Sequence, residues 1–322
     1  GNLSHSGAGL LIIEATAISP EGRISPHDLG LWDDTTEQAL ASVIQSVKTY
    51  SSMPLGIQLG HAGRKASTGV PWGGRAFLRP AQGGWQTLAP SAIPYNTSDD
   101  EPLAMSEQHI RTLVESFVDS AKRADRLGFD LIEIHAAHGY LLHQFLSPLT
   151  NQRVDNYGGS LQNRMRLVIE IYRAVRDVFP VHKAVGVRIS ATDGVEGGWD
   201  LEQSVQLSKT LHELGCDFIH VSSGGLSPLQ QIHPAPNYQV PYAQRIKQEV
   251  GITTIAVGLI TEPEQAEAIV ATGEADAIGL ARAILFDPRW PWHAAARLGA
   301  QVSAPPQYWR SEPRYARGIF KQ

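Results

Sequence analysis

The sequence predicts an α/β protein folded as a (β/α)8 TIM barrel, with the first strand of the barrel missing from this chain. Short apolar, β-rich runs alternate with helical patterns along the chain. Most runs are continuously apolar, which is typical of parallel strands covered on both faces. Polar residues whose side chains can take part in binding or catalysis follow nearly every run, whereas an open sheet would concentrate them at one switch point.

Each predicted element follows from a local pattern. Apolar residues at i, i+3, i+4 and i+7 predict helices over residues 40–47, 110–117 and 161–172. Gly128, Gly215 and Gly273 each precede an apolar run, where a helix end favours a residue that adopts positive φ. A dinucleotide-binding sheet is disfavoured because no G-x-G-x-x-G follows the first run. The seven predicted strands are residues 10–14, 55–59, 129–135, 184–189, 218–221, 253–257 and 277–280.

Composition excludes several classes of protein. Of 322 residues, 27 are Lys or Arg and 32 are Asp or Glu, and no basic run points to nucleic acid or an anionic membrane as partner. The apolar runs are shorter than the ~18 residues of a membrane span. The single cysteine, Cys216, excludes an internal disulfide and a four-cysteine iron–sulfur cluster. We therefore expect a globular cytoplasmic protein.

The strand count shapes the expected domain organisation. A parallel barrel that lacks one strand exposes two edges, so we expect an N-terminal βα unit of about 40–50 residues to be absent from this chain. Residues 1–300 are expected to form one catalytic barrel. Residues 61–105 are too long for a simple connection and predict a lid or cap over the barrel mouth. Residues 301–322 form a tail that either reaches a neighbouring subunit or is disordered.

The sharpest local motif is His135-Ala136-Ala137-His138-Gly139-Tyr140, where the third predicted strand ends. Two neutral imidazoles can donate N–H groups to a carbonyl oxygen and stabilise negative charge that develops there. A tyrosine hydroxyl can protonate a carbanion-like carbon. The residues alone leave two alternatives open, a metal site with Glu133 nearby and histidines with a structural role.

A second group of residues points to a phosphorylated, planar redox ring. Gln58 lies inside an apolar strand, where backbone groups or the edge of a heterocycle could satisfy its amide. Arg188 requires an anionic or electron-rich partner, such as a ring that becomes anionic on reduction. Gly258 and Arg282 follow the last two strands, where barrels commonly bind phosphate.

Several longer motifs, in order along the chain, resemble the old yellow enzyme family of FMN-dependent ene-reductases. The similarity is greatest to the bacterial branch of xenobiotic reductases and NADPH dehydrogenases, and it extends from Gly7 to about Pro288. The motifs are I-E-A-T at 13–16, G-R-I-S at 22–25, Q-L-G-H-A-G-R-K at 58–65, A-P-S-A-I at 89–93, S-P-L-T-N-Q-R at 147–153, D-N-Y-G-G-S at 155–160 and N-R at 163–164.

This resemblance implies roles for the cofactor residues. Gln58 would contact the flavin pyrimidine ring, and Arg188 would stabilise the reduced anion from the N1/O2 side. Gly258, Ala281 and Arg282 would hold the phosphate, Ala281 through its backbone N–H. The cofactor would be tightly bound, non-covalent FMN, and NADPH would be the reductant.

The resemblance also implies a substrate site and a reaction. His135 and His138 would bind the activating oxygen of an enone or nitro compound, and Tyr140 would donate the proton in a ping-pong hydride transfer. Arg310, or failing that Arg317, would reach the active site of a neighbour in a homodimer or homotetramer. The alternatives are a metal-dependent barrel lyase or hydrolase and a truncated, inactive scaffold. A yellow purified protein favours the flavoprotein.

Overall fold

Seven parallel strands form the central sheet in the computed structural model, which describes residues 1–321. Each strand pairs with the next in the order β1-β2-β5-β6-β7-β8-β9. The strands in chain order are β1 (Leu11–Ala17), β2 (Leu55–Gly60), β3 (Leu88–Ala89), β4 (Leu103–Ala104), β5 (Leu131–Ala136), β6 (Ala184–Ser190), β7 (Phe218–Ser222), β8 (Thr253–Ala256), β9 (Ala277–Ile278), β10 (Val302–Ser303) and β11 (Phe320–Lys321).

Helices follow the strands of the central sheet, as a βα repeat requires. Several begin at a side-chain cap, and in α1 the Asp33 carboxylate accepts the Thr36 backbone N–H at 2.8 Å. The helices are α1 (Asp34–Tyr50), α2 (Glu107–Arg126), α3 (Leu141–Leu146), α4 (Leu161–Val178), α5 (Leu201–Glu213), α6 (Val240–Val250), α7 (Pro263–Ala271), α8 (Arg282–Phe286) and α9 (Trp290–Leu298).

The predicted strands and helix ends are confirmed. Each of the seven apolar runs overlaps one strand of the central sheet. Gly128, Gly215 and Gly273 have φ values of +77°, +85° and +75° just beyond the ends of α2, α5 and α7. The pairs β3–β4 and β10–β11 were not predicted, because strands of two residues carry no periodicity.

The two outer strands of the sheet each have one partner. Within residues 1–321, β2 is the one strand that pairs with β1, which also forms an isolated bridge from Ala17 to Gly30, and β8 is the one strand that pairs with β9. The predicted count of seven strands therefore holds, and the described sheet is open between β1 and β9.

The hydrophobic core lies between the sheet and its helices. All six residues of β2 and all six of β5 are buried, since helices and barrel interior cover both faces. Ile57 and Ile132 from these strands pack in one cluster with Phe117 of α2 and Val168 of α4. Each such side chain stabilises the fold by about 1.5–3 kcal/mol through burial.

A buried arginine fixes the long segment between β2 and α2. The Arg64 guanidinium donates to the carbonyls of Ile93 and Pro94, at 3.2 and 3.1 Å. It also donates to the carbonyl of Leu226 at 2.7 Å, beyond the end of β7. Arg64 thereby joins the segment to a second loop at the carboxyl ends of the strands.

Within residues 1–321, no helix combines the length and the apolar character that crossing a bilayer requires.

Candidate active site at the carboxyl ends of the strands

The histidine motif forms a tight turn between β5 and α3. His138 and Gly139 adopt left-handed conformations in succession, with φ values of +58° and +73°. A Cβ atom on Gly139 would lie 2.1 Å from the carbonyl oxygen of Gly225, so this position requires glycine. Tyr140 then precedes the first residue of α3. The turn places His138 and Tyr140 on either side of a glycine that no larger residue could replace.

The turn brings together the three predicted catalytic side chains. The ring centroids of His135 and His138 lie 5.2 Å apart and their planes meet at 88°. The ring of Tyr140 is 5.0 Å from that of His135, again edge to face. His138 Nε2 is 2.8 Å from the Ser222 hydroxyl. His135 Nδ1 accepts the Ala137 backbone N–H at 3.2 Å, so its ring hydrogen is on Nε2.

Burial determines the protonation of these groups. Desolvation, with a smaller contribution from the Arg188 charge, lowers the pKa of His135 to about 3. The same two effects hold the pKa of His138 well below its ordinary value. Desolvation raises the pKa of Tyr140. Near pH 7 the site therefore presents two neutral imidazoles and a protonated phenol.

Lys65 belongs to this site, although it was not among the predicted residues. Its ammonium donates to the carbonyls of His138 and Gly225, at 2.7 and 2.8 Å. It also lies 5.1 Å from the ring centroid of Tyr140. Burial, together with the nearby guanidinium of Arg64, lowers the pKa of Lys65 to about 8. The motif at 58–65 contained this residue, but its sequence position did not reveal these contacts.

A buried polar cluster lies beside Gln58. The Gln58 amide donates to Glu133 Oε1 at 2.5 Å, and His220 Nδ1 lies 2.7 Å from Glu133 Oε2. Burial acts to raise the pKa of Glu133, but His220, Arg188 and the Gln58 hydrogen bond together hold that pKa at about 2. Glu133 is therefore an ionised carboxylate whose oxygens are engaged by Gln58 and His220.

Arg188 retains unsatisfied bonding capacity. Its Nε atom is buried and has no hydrogen-bond partner within residues 1–321, and burial lowers the pKa of the group. A buried guanidinium without such a partner is costly unless a ligand supplies one. An electron-rich ring edge would satisfy it, so the donor set of Gln58 and Arg188 fits a flavin.

The predicted phosphate residues lie on neighbouring loops. Gly258 is buried with φ +122°, just after β8. Ala281 and Arg282 are exposed at the start of α8, after β9. The two strands are held in register by the Gly279 N–H, which donates to the Ala256 carbonyl at 2.8 Å. Both loops therefore open at the same edge of the sheet.

Arg310 is not joined to this group of residues. It is exposed in a short 3-10 turn, Pro306–Ser311, and Arg317 is exposed further along the same tail. The apolar residues of the tail form their own cluster with α9, separate from the main core. That cluster contains Ala295, Val302, Ala304, Ile319 and Phe320.

Comparison with known proteins defines the class. The sequence profile of the NADH:flavin oxidoreductase / NADH oxidase family matches residues 2–301, and the chain belongs to this family. An NADPH dehydrogenase of Geobacillus thermodenitrificans is 45% identical over 302 residues, covering 94% of this chain and 83% of that protein. An NADPH dehydrogenase of Listeria monocytogenes is 43% identical over 306 residues, covering 95% and 85%.

Solved structures show the same architecture. Morphinone reductase in complex with tetrahydroNAD has a TM-score of 0.75 at 27% identity, covering 100% of this chain and 84% of that one. The old yellow enzyme homologue of Zymomonas mobilis has a TM-score of 0.75 at 25% identity, covering 100% and 85%. A 2-naphthoyl-CoA reductase shares the fold at a TM-score of 0.81 and 22% identity, and this chain spans 46% of its length.

These findings confirm the predicted barrel class, the old yellow enzyme resemblance and an FMN-dependent oxidoreductase. The curated relatives are NADPH dehydrogenases, in agreement with NADPH as the expected reductant. The metal-dependent lyase or hydrolase is wrong as a class. Glu133, the carboxylate considered as a third ligand, bonds instead to Gln58 and His220.

Proposed function

We propose that this chain reduces the activated C=C bond of α,β-unsaturated carbonyl or nitro compounds, with NADPH as the electron source and alternate binding of the two substrates. The observation that carries the proposal is a pair of neutral imidazoles, His135 buried and His138 half-buried, beside the protonated hydroxyl of Tyr140. Such a group provides hydrogen-bond donors for an oxygen and a proton for a neighbouring carbon.

His135 and His138 are the proposed binding groups for the activating oxygen. Because both pKa values are depressed, each ring donates as a neutral imidazole, without the solvation cost of an imidazolium. Negative charge grows on the oxygen as the β-carbon is reduced, and each well-placed donor contributes about 2–4 kcal/mol to its stabilisation.

Tyr140 is the proposed proton donor for the α-carbon. Its raised pKa keeps the hydroxyl protonated before the reaction. The Lys65 ammonium, 5.1 Å from the ring centroid, favours the phenolate that proton transfer leaves behind. Tyr140 thus supplies the proton, and Lys65 supplies a positive charge beside it.

Gln58, Arg188, Gly258, Ala281 and Arg282 are the proposed FMN residues. When bound, FMN supplies the two-electron redox chemistry of the reaction. The unsatisfied Nε of Arg188 supports this assignment, because a flavin edge would give that buried guanidinium its missing partner. Arg282 would provide the positive charge for the phosphate.

The test is a double substitution, His135→Ala with His138→Ala. We expect the purified wild-type protein to be yellow and to oxidise NADPH when 2-cyclohexenone is added. The double variant should remain yellow and lose enone reduction by at least 10³-fold, since two donors are removed. Loss of bound flavin in the double variant, or enone reduction at the wild-type rate, would show that these roles are misassigned.

We also propose a cytoplasmic homo-oligomer, because NADPH is supplied inside the cell and the exposed tail arginines suit contact with a neighbouring subunit. In this arrangement residues 1–300 form the barrel, residues 61–105 cap its mouth and Arg310 reaches the adjacent site. Light scattering gives the mass of the assembly. Arg310→Ala should raise the KM for the enone more than Arg317→Ala does.

A further inference from the structure

Side chains from elsewhere in the fold hold the left-handed turn of His138 and Gly139. All four backbone polar groups of the two residues are bonded in this way. The His138 N–H donates to Ser190 Oγ at 2.9 Å, and the His138 carbonyl accepts from Lys65 Nζ at 2.7 Å. The Gly139 N–H donates to His143 Nδ1 at 2.9 Å, and the Gly139 carbonyl accepts from Gln144 Nε2 at 2.7 Å. A conformation that is unfavourable for histidine is thus fixed by its surroundings.

His143 is the acceptor in this set, and its partner is Asp193. Both side chains are fully buried, and His143 Nε2 lies 2.8 Å from Asp193 Oδ1. Because the Gly139 N–H already points at Nδ1, the single ring hydrogen of a neutral His143 is on Nε2. The Asp193 carboxylate accepts that hydrogen and therefore determines the tautomer.

Asp193 is itself held in one orientation. Its Oδ2 atom accepts the Ser147 hydroxyl at 2.6 Å and the Trp199 backbone N–H at 2.7 Å. Since Oδ2 is engaged by two donors, Oδ1 faces His143. A fixed carboxylate, a fixed imidazole and the Gly139 amide form a continuous chain that ends at the catalytic turn.

We propose that His143 and Asp193 are positioning residues for His138 and Tyr140. They act through the Gly139 amide and set the directions in which the two flanking side chains enter the site. This inference rests on the proposed function in one respect, namely that His138 and Tyr140 contact the substrate. Neither His143 nor Asp193 is assigned a substrate contact.

The first test is Asp193→Asn. Two donors hold the Oδ2 side, so the asparagine oxygen must stay there and its NH2 must face His143. His143 Nε2 then becomes an acceptor, the ring hydrogen moves to Nδ1, and two N–H groups face each other at Gly139. In the FMN-loaded protein, ¹⁵N chemical shifts of His143 should report the Nδ1–H tautomer, and exchange of the Gly139 amide should accelerate at least 10-fold.

A matched control is Asp287→Asn, which makes the same change in the exposed pair of Asp287 with His293. That variant should leave the His143 tautomer and Gly139 exchange as in the wild type. An Nε2–H tautomer in Asp193→Asn, with Gly139 exchange unchanged, would overturn the proposal.

The second test separates the two halves of the imidazole. His143→Asn can keep an acceptor near Gly139 but does not reach Asp193, whereas His143→Gln reaches Asp193 and loses the acceptor. We expect His143→Gln to lower kcat/KM for 2-cyclohexenone about 10- to 100-fold with FMN content unchanged. His143→Asn should recover most of that loss. Equal activity of the two variants, or the reverse order, would contradict the proposal.

The outcomes distinguish this inference from the proposed function. If the wild-type protein reduces no enone, the proposed function fails, while the tautomer and the Gly139 exchange still decide whether the pair fixes the turn. If the wild type reduces enones and Asp193→Asn does so with the same kcat and KM, the positioning role is wrong and the proposed function stands.

Discussion

Glu133 offers a quantitative test of the buried cluster beside Gln58, through the substitution Glu133→Gln. The side chain is 1% exposed and its pKa is held at about 2, against an ordinary value of 4.5. The difference corresponds to about 3 kcal/mol of folding stability. Loss of the carboxylate also removes the negative charge that favours the charged form of the Arg188 guanidinium, which acts in the same direction.

The pH dependence has a definite sign. Because the folded-state pKa of Glu133 is depressed, its contribution is present above pH 4.5 and is lost as pH falls toward 2. The wild-type protein should therefore be about 3 kcal/mol more stable than Glu133→Gln at pH 7. At pH 3 the gap should shrink to less than half of that value.

Urea unfolding, followed by circular dichroism on protein stripped of FMN, measures both quantities without a contribution from cofactor binding. Glu249→Gln is the control, because Glu249 is a surface carboxylate whose pKa is lowered by a hydrogen bond from Arg245. It should unfold much as the wild type does. A gap below about 1 kcal/mol at pH 7, or one that stays constant down to pH 3, would show that Glu133 is not an ionised carboxylate stabilised by its neighbours.

Three further predictions concern the turn and its neighbours. Tyr140→Phe should lower kcat for enone reduction about 10²- to 10³-fold with little change in KM, and steady-state kinetics would contradict the assignment if KM alone changed. Gly139→Ala should abolish enone reduction, because the new Cβ would lie 2.1 Å from the Gly225 carbonyl oxygen. The control is Gly251→Ala, which should retain activity in the same assay, because Gly251 also has a positive φ, +76°, but open space around it. Wild-type kcat/KM should fall above about pH 8 as Lys65 loses its charge, and Lys65→Arg should move that decline to higher pH. If the pH–rate profiles of the two proteins are identical, Lys65 is not the origin of the decline.

Apolar runs of four to seven residues were sufficient to predict the strands of the central sheet, because most of them are continuous, as in strands that are covered on both faces. The positions of the strand ends also predicted which residues lie at the barrel mouth, since residues at strand ends converge in a parallel barrel. His135, His138 and Tyr140 are close in sequence, so one motif predicted all three.

The supporting contacts were not predictable in the same way. Gln58 and Glu133 are 75 positions apart and meet through the register of β2 and β5. His143 on α3 and Asp193 in the loop after β6 are 50 positions apart and meet only in the tertiary structure. Glu133 was considered as a metal ligand because its distance from His135 in sequence does not show which side chains it faces. Lys65 lies in the motif at 58–65, yet its contacts with two loop carbonyls depend on tertiary structure.

The bonds of Arg64 have a consequence for how this protein tolerates change. One guanidinium secures both the departure of the long segment, beside Lys65, and its return, at Ile93 and Pro94. Residues 71–76, which lie between these two anchor points, are all exposed, so insertions or deletions among them leave the anchors in place. Loops of other lengths can be exchanged at this position while the turn of His138 and Gly139 keeps its shape.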